Sequence, residues 1–273
     1  MLALLLVGSA LTHAVWNALL KRQPSPQQAT VGVTVYSGLA ALLMGGSALW
    51  SGNIPAPAWH WGLGAGCMET AYFFTLGVAL EAAPLSVVYP VVRGAAVILV
   101  WPVSLLVTGE GLNLSTTVGA GLVVAGLWLA GGGGHLSRRG LGAGLAAAVC
   151  VAFNHVAYRA GIAGGSPPTT IFALSMTVAM TLSLAREGGA RLRTAWKAGI
   201  FSSPAVVLSG VLASVSFLLA LAAMQSAGAG RVLTLRNLSI PFSVLLGWAG
   251  GERPTRPQVM GALLVTAGAC LIR

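Results

Sequence analysis

Residues 109–126 read GEGLNLSTTVGAGLVVAG, and residues 251–268 read GERPTRPQVMGALLVTAG. Both fit G-E-x8-G-A-x-L-V-x-A-G without a gap, and Glu110 and Glu252 stand 142 positions apart. A matched acid, matched small residues and matched apolar positions point to an internal duplication. Where the two copies fall in the chain decides how it is folded.

The chain has 273 residues, of which 56% are hydrophobic and only 7% charged. A soluble domain carries about 25% charged residues, so this set cannot cover a water-facing surface. The apolar stretches recur from end to end, which reads as an all-α, polytopic membrane protein. With about 20 residues needed per helical span, ten spans are expected: 2–20, 29–50, 60–81, 85–107, 115–132, 140–161, 168–186, 203–225, 229–249 and 256–272. The connections, such as QPSPQQ, SGNIPAPA, GGSPPT and ERPTRP, are rich in Pro, Gly and Ser. The first run is read as a membrane helix. It lacks a basic leader, and His13, Trp16 and Asn17 stand where a cleavage site would need small residues.

The matched segments open spans 5 and 10. The chain therefore divides into a first five-helix repeat at 1–130, a Gly-rich linker at 131–139 and a second five-helix repeat at 140–273. Five is odd, so the second copy enters the membrane with the opposite orientation. Inverted repeats of this kind place a solute site near mid-membrane, between the copies. A second echo pairs Trp16-Asn17 with Phe153-Asn154, at an offset of 137. A third pairs the hairpin of spans 3 and 4 with that of spans 8 and 9.

Ten short helices, a five-plus-five duplication and the paired G-E-x8-G-A segments resemble the drug/metabolite transporter superfamily, in particular its EamA-domain type. The first helix of that type often carries a motif similar to HAVWNALLK, found here at 13–21. The resemblance covers the whole chain. It implies a multi-pass transporter of the bacterial plasma (inner) membrane, working without a cofactor, as a monomer or a homodimer.

The formal net charge is +10. Lys21, Arg22, Arg138, Arg139, Arg186, Arg191, Arg193, Lys197, Arg253 and Arg256 fall in or beside the loops after odd-numbered spans, against Arg159 and Arg273 on the other side. The positive-inside bias then makes the odd loops cytoplasmic and puts both termini outside, whereas the resemblance implies termini inside. The basic residues are topology determinants, and no basic, aromatic-interleaved segment suits nucleic acid. Cys67, Cys150 and Cys270 lie singly in apolar runs, with no CxxC spacing for a metal or a disulfide framework.

Charges inside spans must face protein or water. Counted from the turn near Ala82-Ala83 at 1.5 Å per residue, Glu69 lies roughly 20 Å and Arg93 roughly 15 Å along their helices, within reach of an ion pair. Tyr72 shares a face with Glu69, and Tyr89 shares one with Arg93. In span 9, Arg236 and Asn237 are deep, while Arg231 can snorkel to the interface. His13, Trp16 and Asn17 share one face of span 1 at i, i+3, i+4 spacing. Trp16 suits the headgroup zone as well as a cavity wall. Asn17 and Asn154 read as facing partners, either as glue across the bundle or as lining of the solute path. The substrate-binding set is therefore His13, Trp16, Asn17, Glu69, Tyr72, Tyr89, Arg93, Asn154, Arg236 and Asn237. Glu110 and Glu252 read as structural acids at the N-terminus of the helix that follows each. Pro84, Pro90, Pro102 and Pro241 read as kinks or turns, and Gly140 to Gly144 as a close-packing face.

Two arginines against one acid favour an anionic or zwitterionic solute, amino-acid-like in its polarity, moved by alternating access. Glu69 is compatible with proton coupling, and facilitated exchange fits equally. A flippase for a lipid-linked sugar is the nearest alternative. An intramembrane enzyme has little to work with, because Asp is absent and no HExxH, GxSxG or Walker loop occurs.

Overall fold

The computed structural model describes residues 1–23, 26–50, 59–82, 85–131, 137–249, 251 and 253–272. Among these the regular structure is entirely helical. The elements are α1 (Leu2–Lys21), α2 (Pro26–Trp50), α3 (Trp59–Ala82), α4 (Leu85–Thr108), α5 (Leu114–Ala130) and α6 (Arg138–Ala163). They continue with α7 (Pro168–Lys197), α8 (Pro204–Ala223), α9 (Ala229–Arg236), α10 (Ser239–Ala249) and α11 (Arg256–Leu271).

Among the described residues, seven stretches are long and apolar enough to cross a membrane: Leu2–Leu20, Gln28–Gly45, Val91–Thr108, Arg138–Ala163, Pro168–Lys197, Pro204–Ala223 and Ala229–Ala249. Leu4, Leu43, Ile98, Leu106, Trp128 and Leu263 turn outward. An apolar exterior of this extent belongs in lipid, and the protein is a multi-pass integral membrane protein.

The expected span 229–249 is not one helix. It breaks after Arg236, and α10 resumes at Ser239. Pro241 supplies the cause: it has no N–H for the Asn237 carbonyl, and its ring crowds that carbonyl. Ile240 N–H bonds the Asn237 carbonyl in a tighter turn instead, at 2.9 Å. By contrast α4 runs through Pro90 and Pro102 as one helix. The stretch after 186, expected as a loop, is also helical: α7 continues to Lys197 across a break at Gly188, whose φ of 70° suits a residue without a Cβ.

The main packings join the two halves of the chain. α1 lies on α8, α3 and α4 on α6, α2 on α7, and α5 on α11. The α5–α11 crossing is made by the matched segments themselves. A Cβ on Gly119 would stand 2.6 Å from the Gly268 carbonyl oxygen, and one on Gly126 would stand 2.6 Å from that of Gly261. These glycines let two antiparallel helices touch backbone to backbone.

Glu110 also joins the halves, which corrects the expectation drawn from its neighbour in sequence. The helix that follows it, α5, is capped by Asn113, whose side chain accepts from Thr116 N–H at 2.8 Å. The Glu110 carboxylate instead accepts from the backbone N–H of Gly230 at 2.9 Å and of Arg231 at 3.1 Å, and from Ser104 Oγ at 2.5 Å. It therefore caps the positive end of α9, 120 residues away. Glu252 lies outside the described residues, as do Pro84 and residues 132–136 of the linker.

The α5–α11 crossing yields a stability prediction. Gly126→Leu overpacks it and costs about 1–3 kcal/mol. The apparent Tm of the detergent-purified protein should fall by about 3–10 °C. Gly121→Leu, at a position on α5 with open space around it, should leave Tm unchanged.

Candidate functional site

The buried charged residues Glu69, Arg93 and Arg236 and the buried histidines His13 and His155 converge on one cavity. Its walls come from both halves: His13 and Trp16 of α1, Thr34 and Ser37 of α2, Glu69 and Tyr72 of α3 and Arg93 of α4. From the second half come Asn154 and His155 of α6, Phe172 and Met176 of α7, Phe217 of α8 and Arg236 of α9. Arg93 and Arg236 are 5% and 3% exposed, so neither reaches the interface by snorkelling.

Each arginine meets a histidine. Arg93 Nη2 is 2.5 Å from His13 Nε2, and Arg236 Nη1 is 3.2 Å from His155 Nε2. A guanidinium only donates, so the facing ring nitrogen must be an unprotonated acceptor. For His155 the other nitrogen completes the pattern, with Nδ1–H donating to the Val151 carbonyl at 2.9 Å. His13 differs. Trp16 Nε1–H points at its Nδ1 from 3.2 Å, so both ring nitrogens face donors. A neutral imidazole accepts at only one, and His13 therefore holds one of these two bonds at a time. Phe217 stands beside Arg236, its ring centroid 5.4 Å from the guanidinium carbon, within cation–π range.

Opposite the arginines lies one acid. The Glu69 carboxylate accepts from Asn154 Nδ2. An ionised carboxylate has no hydrogen to give, so the amide must present its nitrogen there. That fixes the other end of the group: Asn154 Oδ1 is buried without a hydrogen-bond partner among the described residues. A stranded buried acceptor costs about 1–3 kcal/mol, which makes it a natural contact for a donor on a solute.

The structure thus brings His13, Trp16, Glu69, Tyr72, Arg93, Asn154 and Arg236 of the expected set to one cavity. Glu69 and Arg93 both line it, with Asn154 bonding the acid and His13 the guanidinium. Two expected lining residues are engaged elsewhere. Asn17 Nδ2 donates to the His13 carbonyl at 2.7 Å, a bond back along its own helix, so it is not a facing partner of Asn154. Asn237 Nδ2 donates to the Leu233 carbonyl at 3.2 Å, next to the helix break. The Tyr89 side chain lies outside the described residues.

His155 was missing from the expected set, although a signal for it existed. Its offset from His13 is 142, the offset of the two G-E segments, whereas pairing Asn17 with Asn154 requires 137. The aromatic and small-polar walls at Thr34, Ser37, Phe172 and Phe217 carry no motif that a single sequence displays.

The acid–amide contact can be tested directly. In the unaltered chain Asn154→Ala leaves a buried carboxylate without its donor and should cost about 2–3 kcal/mol. In a Glu69→Gln background the same change should cost at least about 1 kcal/mol less. Unfolding of the purified variants measures both; equal costs would mean that the contact carries no coupling.

Residues 138–273 match the model of the EamA-like transporter family. One solved crystal structure is similar over 99% of this chain and 95% of its own, with a TM-score of 0.75 at 20% identity, a likeness of fold. No curated protein matches the chain.

Proposed function

The chain belongs to the EamA-like transporter family, and from that premise we propose that it is a ten-helix secondary carrier of a small anionic or zwitterionic metabolite. It works by alternating access between two inverted five-helix repeats. The helix packings support the repeat. Exchanging α1–α5 with α6, α7, α8, α9–α10 and α11 turns the α1–α8 packing into α6–α3, and α4–α6 into the packing of α9 and α10 on α1. The α2–α7 and α5–α11 packings map onto themselves. The His–Arg pairs obey the same exchange, since His13 goes with Arg93 and His155 with Arg236.

The observation that carries the substrate class is the charge inventory of the cavity among the described residues: two guanidiniums against one carboxylate. Arginine stays protonated at any accessible pH, so the cavity is short of negative charge. A solute carboxylate supplies it and offers acceptors to Arg93 and Arg236. An amino group on the same solute could meet Glu69 and the unpartnered Asn154 oxygen. Binding of this kind on the two-fold axis of inverted repeats lets a rocking motion expose one site to either side.

His13 gives the cycle a mechanical element. When a solute carboxylate draws Arg93 away, the imidazole proton can move to Nε2, and Nδ1 can then accept from Trp16. Release of solute reverses the exchange. At His155 the second ring nitrogen donates to the Val151 carbonyl, so this imidazole faces no exchange of that kind.

Uptake into proteoliposomes tests the proposal, with labelled amino acids and small carboxylates as probes, and choline and a neutral sugar as comparators. Arg93→Ala and Arg236→Ala should each lower uptake of the carboxylate-bearing probe by at least about tenfold, without changing the comparators. Anion uptake unaltered in both variants contradicts the substrate class. Glu69→Gln separates coupling from exchange: loss of pH-gradient-driven uptake with counterflow preserved marks Glu69 as the proton carrier.

A further inference from the structure

Beyond the cavity, the most heavily charged feature of the molecule is the far end of α7. Residues 185–197 read AREGGARLRTAWK. Gly188 leaves the helical region and the chain re-enters a helix that runs to Lys197. In this second piece Leu192, Ala195 and Trp196 share one face at i, i+3, i+4 spacing, and Arg191, Arg193, Thr194 and Lys197 occupy the rest. Ala195 is buried and Leu192 half-buried, so the piece rests on the bundle instead of projecting from it.

Its docking is specific. The ring of Trp196 lies 6.0 Å from that of Phe201, and the Phe201 carbonyl accepts a hydrogen bond from Tyr36 of α2. Two residues on, Ser203 Oγ donates to Gln23 at the end of α1, at 3.2 Å. At the break, the Arg186 guanidinium sits 3.8 Å over the ring of Phe74 on α3. Glu187 stands between Arg186 and Arg191 at 3.7 and 3.8 Å. Arg193 and Lys197 are exposed, and Trp196 is 71% exposed.

A helix that ends its apolar span at a glycine break, then carries cations and an outward tryptophan beside the bundle, has the composition of an interfacial segment. Four cations stand here against one carboxylate. Their complement is a layer of fixed negative charge, with an apolar zone below it for the indole. We propose that the α7 segment Gly189–Lys197 is a docking surface for the headgroups of anionic phospholipids, with Arg193 and Lys197 meeting the phosphates and Trp196 seated at the headgroup–acyl boundary. Each basic residue near an anionic membrane surface contributes about a fivefold preference, screened by salt. A contact of this kind would hold the end of α7, and through Phe201 and Tyr36 the middle of α2, at a fixed depth. Both helices line the cavity at Thr34, Ser37, Phe172 and Met176.

The test uses the full chain reconstituted in phosphatidylcholine vesicles, doped with chain-brominated phosphatidylglycerol or chain-brominated phosphatidylcholine. The fluorescence difference between the unaltered protein and Trp196→Phe isolates the Trp196 signal. Brominated phosphatidylglycerol should quench that signal at a mole fraction at least about fivefold below that needed for brominated phosphatidylcholine. The preference should shrink to within about twofold in R193Q/K197Q, and also in the unaltered protein as salt rises from about 50 to 500 mM. The double variant removes only exposed charges, and the salt series needs no variant at all. Equal quenching by the two lipids, no quenching by either, or a preference that survives both R193Q/K197Q and salt overturns the proposal. Loss of the preference on adding millimolar glycerol phosphate at constant ionic strength also overturns it, because the site would then bind a free phosphate and not a membrane.

Discussion

An arginine cannot shed its charge, and the interior of a helix bundle that sits in lipid cannot leave it without acceptors. Arg93 and Arg236 are both in the interior of this protein, and much of the architecture answers to that fact. Each guanidinium is met by an imidazole from its own half of the chain, and one carboxylate faces the same space. Replacing such groups by apolar residues of similar volume is often neutral or stabilising for a fold. Here they stand around a cavity and not in a packed core, the setting on which the proposed carrier function rests.

Two further features place Arg236, and a third ties the two halves together. Pro241 breaks the last long helix four residues earlier, at Asn237, so Arg236 ends a short helix next to the cavity instead of continuing through the membrane. Glu110 holds the other end of that short helix from the far half of the chain. The glycines of the two G-E segments bring α5 and α11 into backbone contact, so the two halves are tied by helices that do not line the cavity.

The helices and their membrane setting are legible in the sequence, because long apolar runs separated by Pro- and Gly-rich turns have few other uses. The same holds for buried charges: Glu69, Arg93 and Arg236 stand out against an apolar background, and the structure gathers them together. What sequence spacing cannot show is which partner a side chain takes. Asn17 looked like a cavity residue because it shares a face with His13, yet at i+4 its amide finds the helix carbonyl first. Glu110 looked like a cap for the nearest helix, but Asn113 already serves there, and the acid reaches a helix 120 residues distant. The amphipathic continuation of α7 was hidden by Gly188-Gly189, a pair that reads as a loop until the residues on either side are seen to be helical.

The central claim is that these polar groups line a solute-accessible cavity of positive character. Thiol modification tests it most directly. With Cys67, Cys150 and Cys270 replaced by alanine, single cysteines at Ser37 and Thr34 on the cavity wall can be compared with one at Ala148, which is fully buried in an apolar cluster. The account predicts that the cavity positions react with membrane-impermeant methanethiosulfonates and the Ala148 position does not. It also predicts that the anionic reagent is favoured over the cationic one, relative to their rates with a free thiol, and that Arg93→Ala and Arg236→Ala reduce this preference. No reaction at either cavity position, or a preference for the cationic reagent, would contradict it.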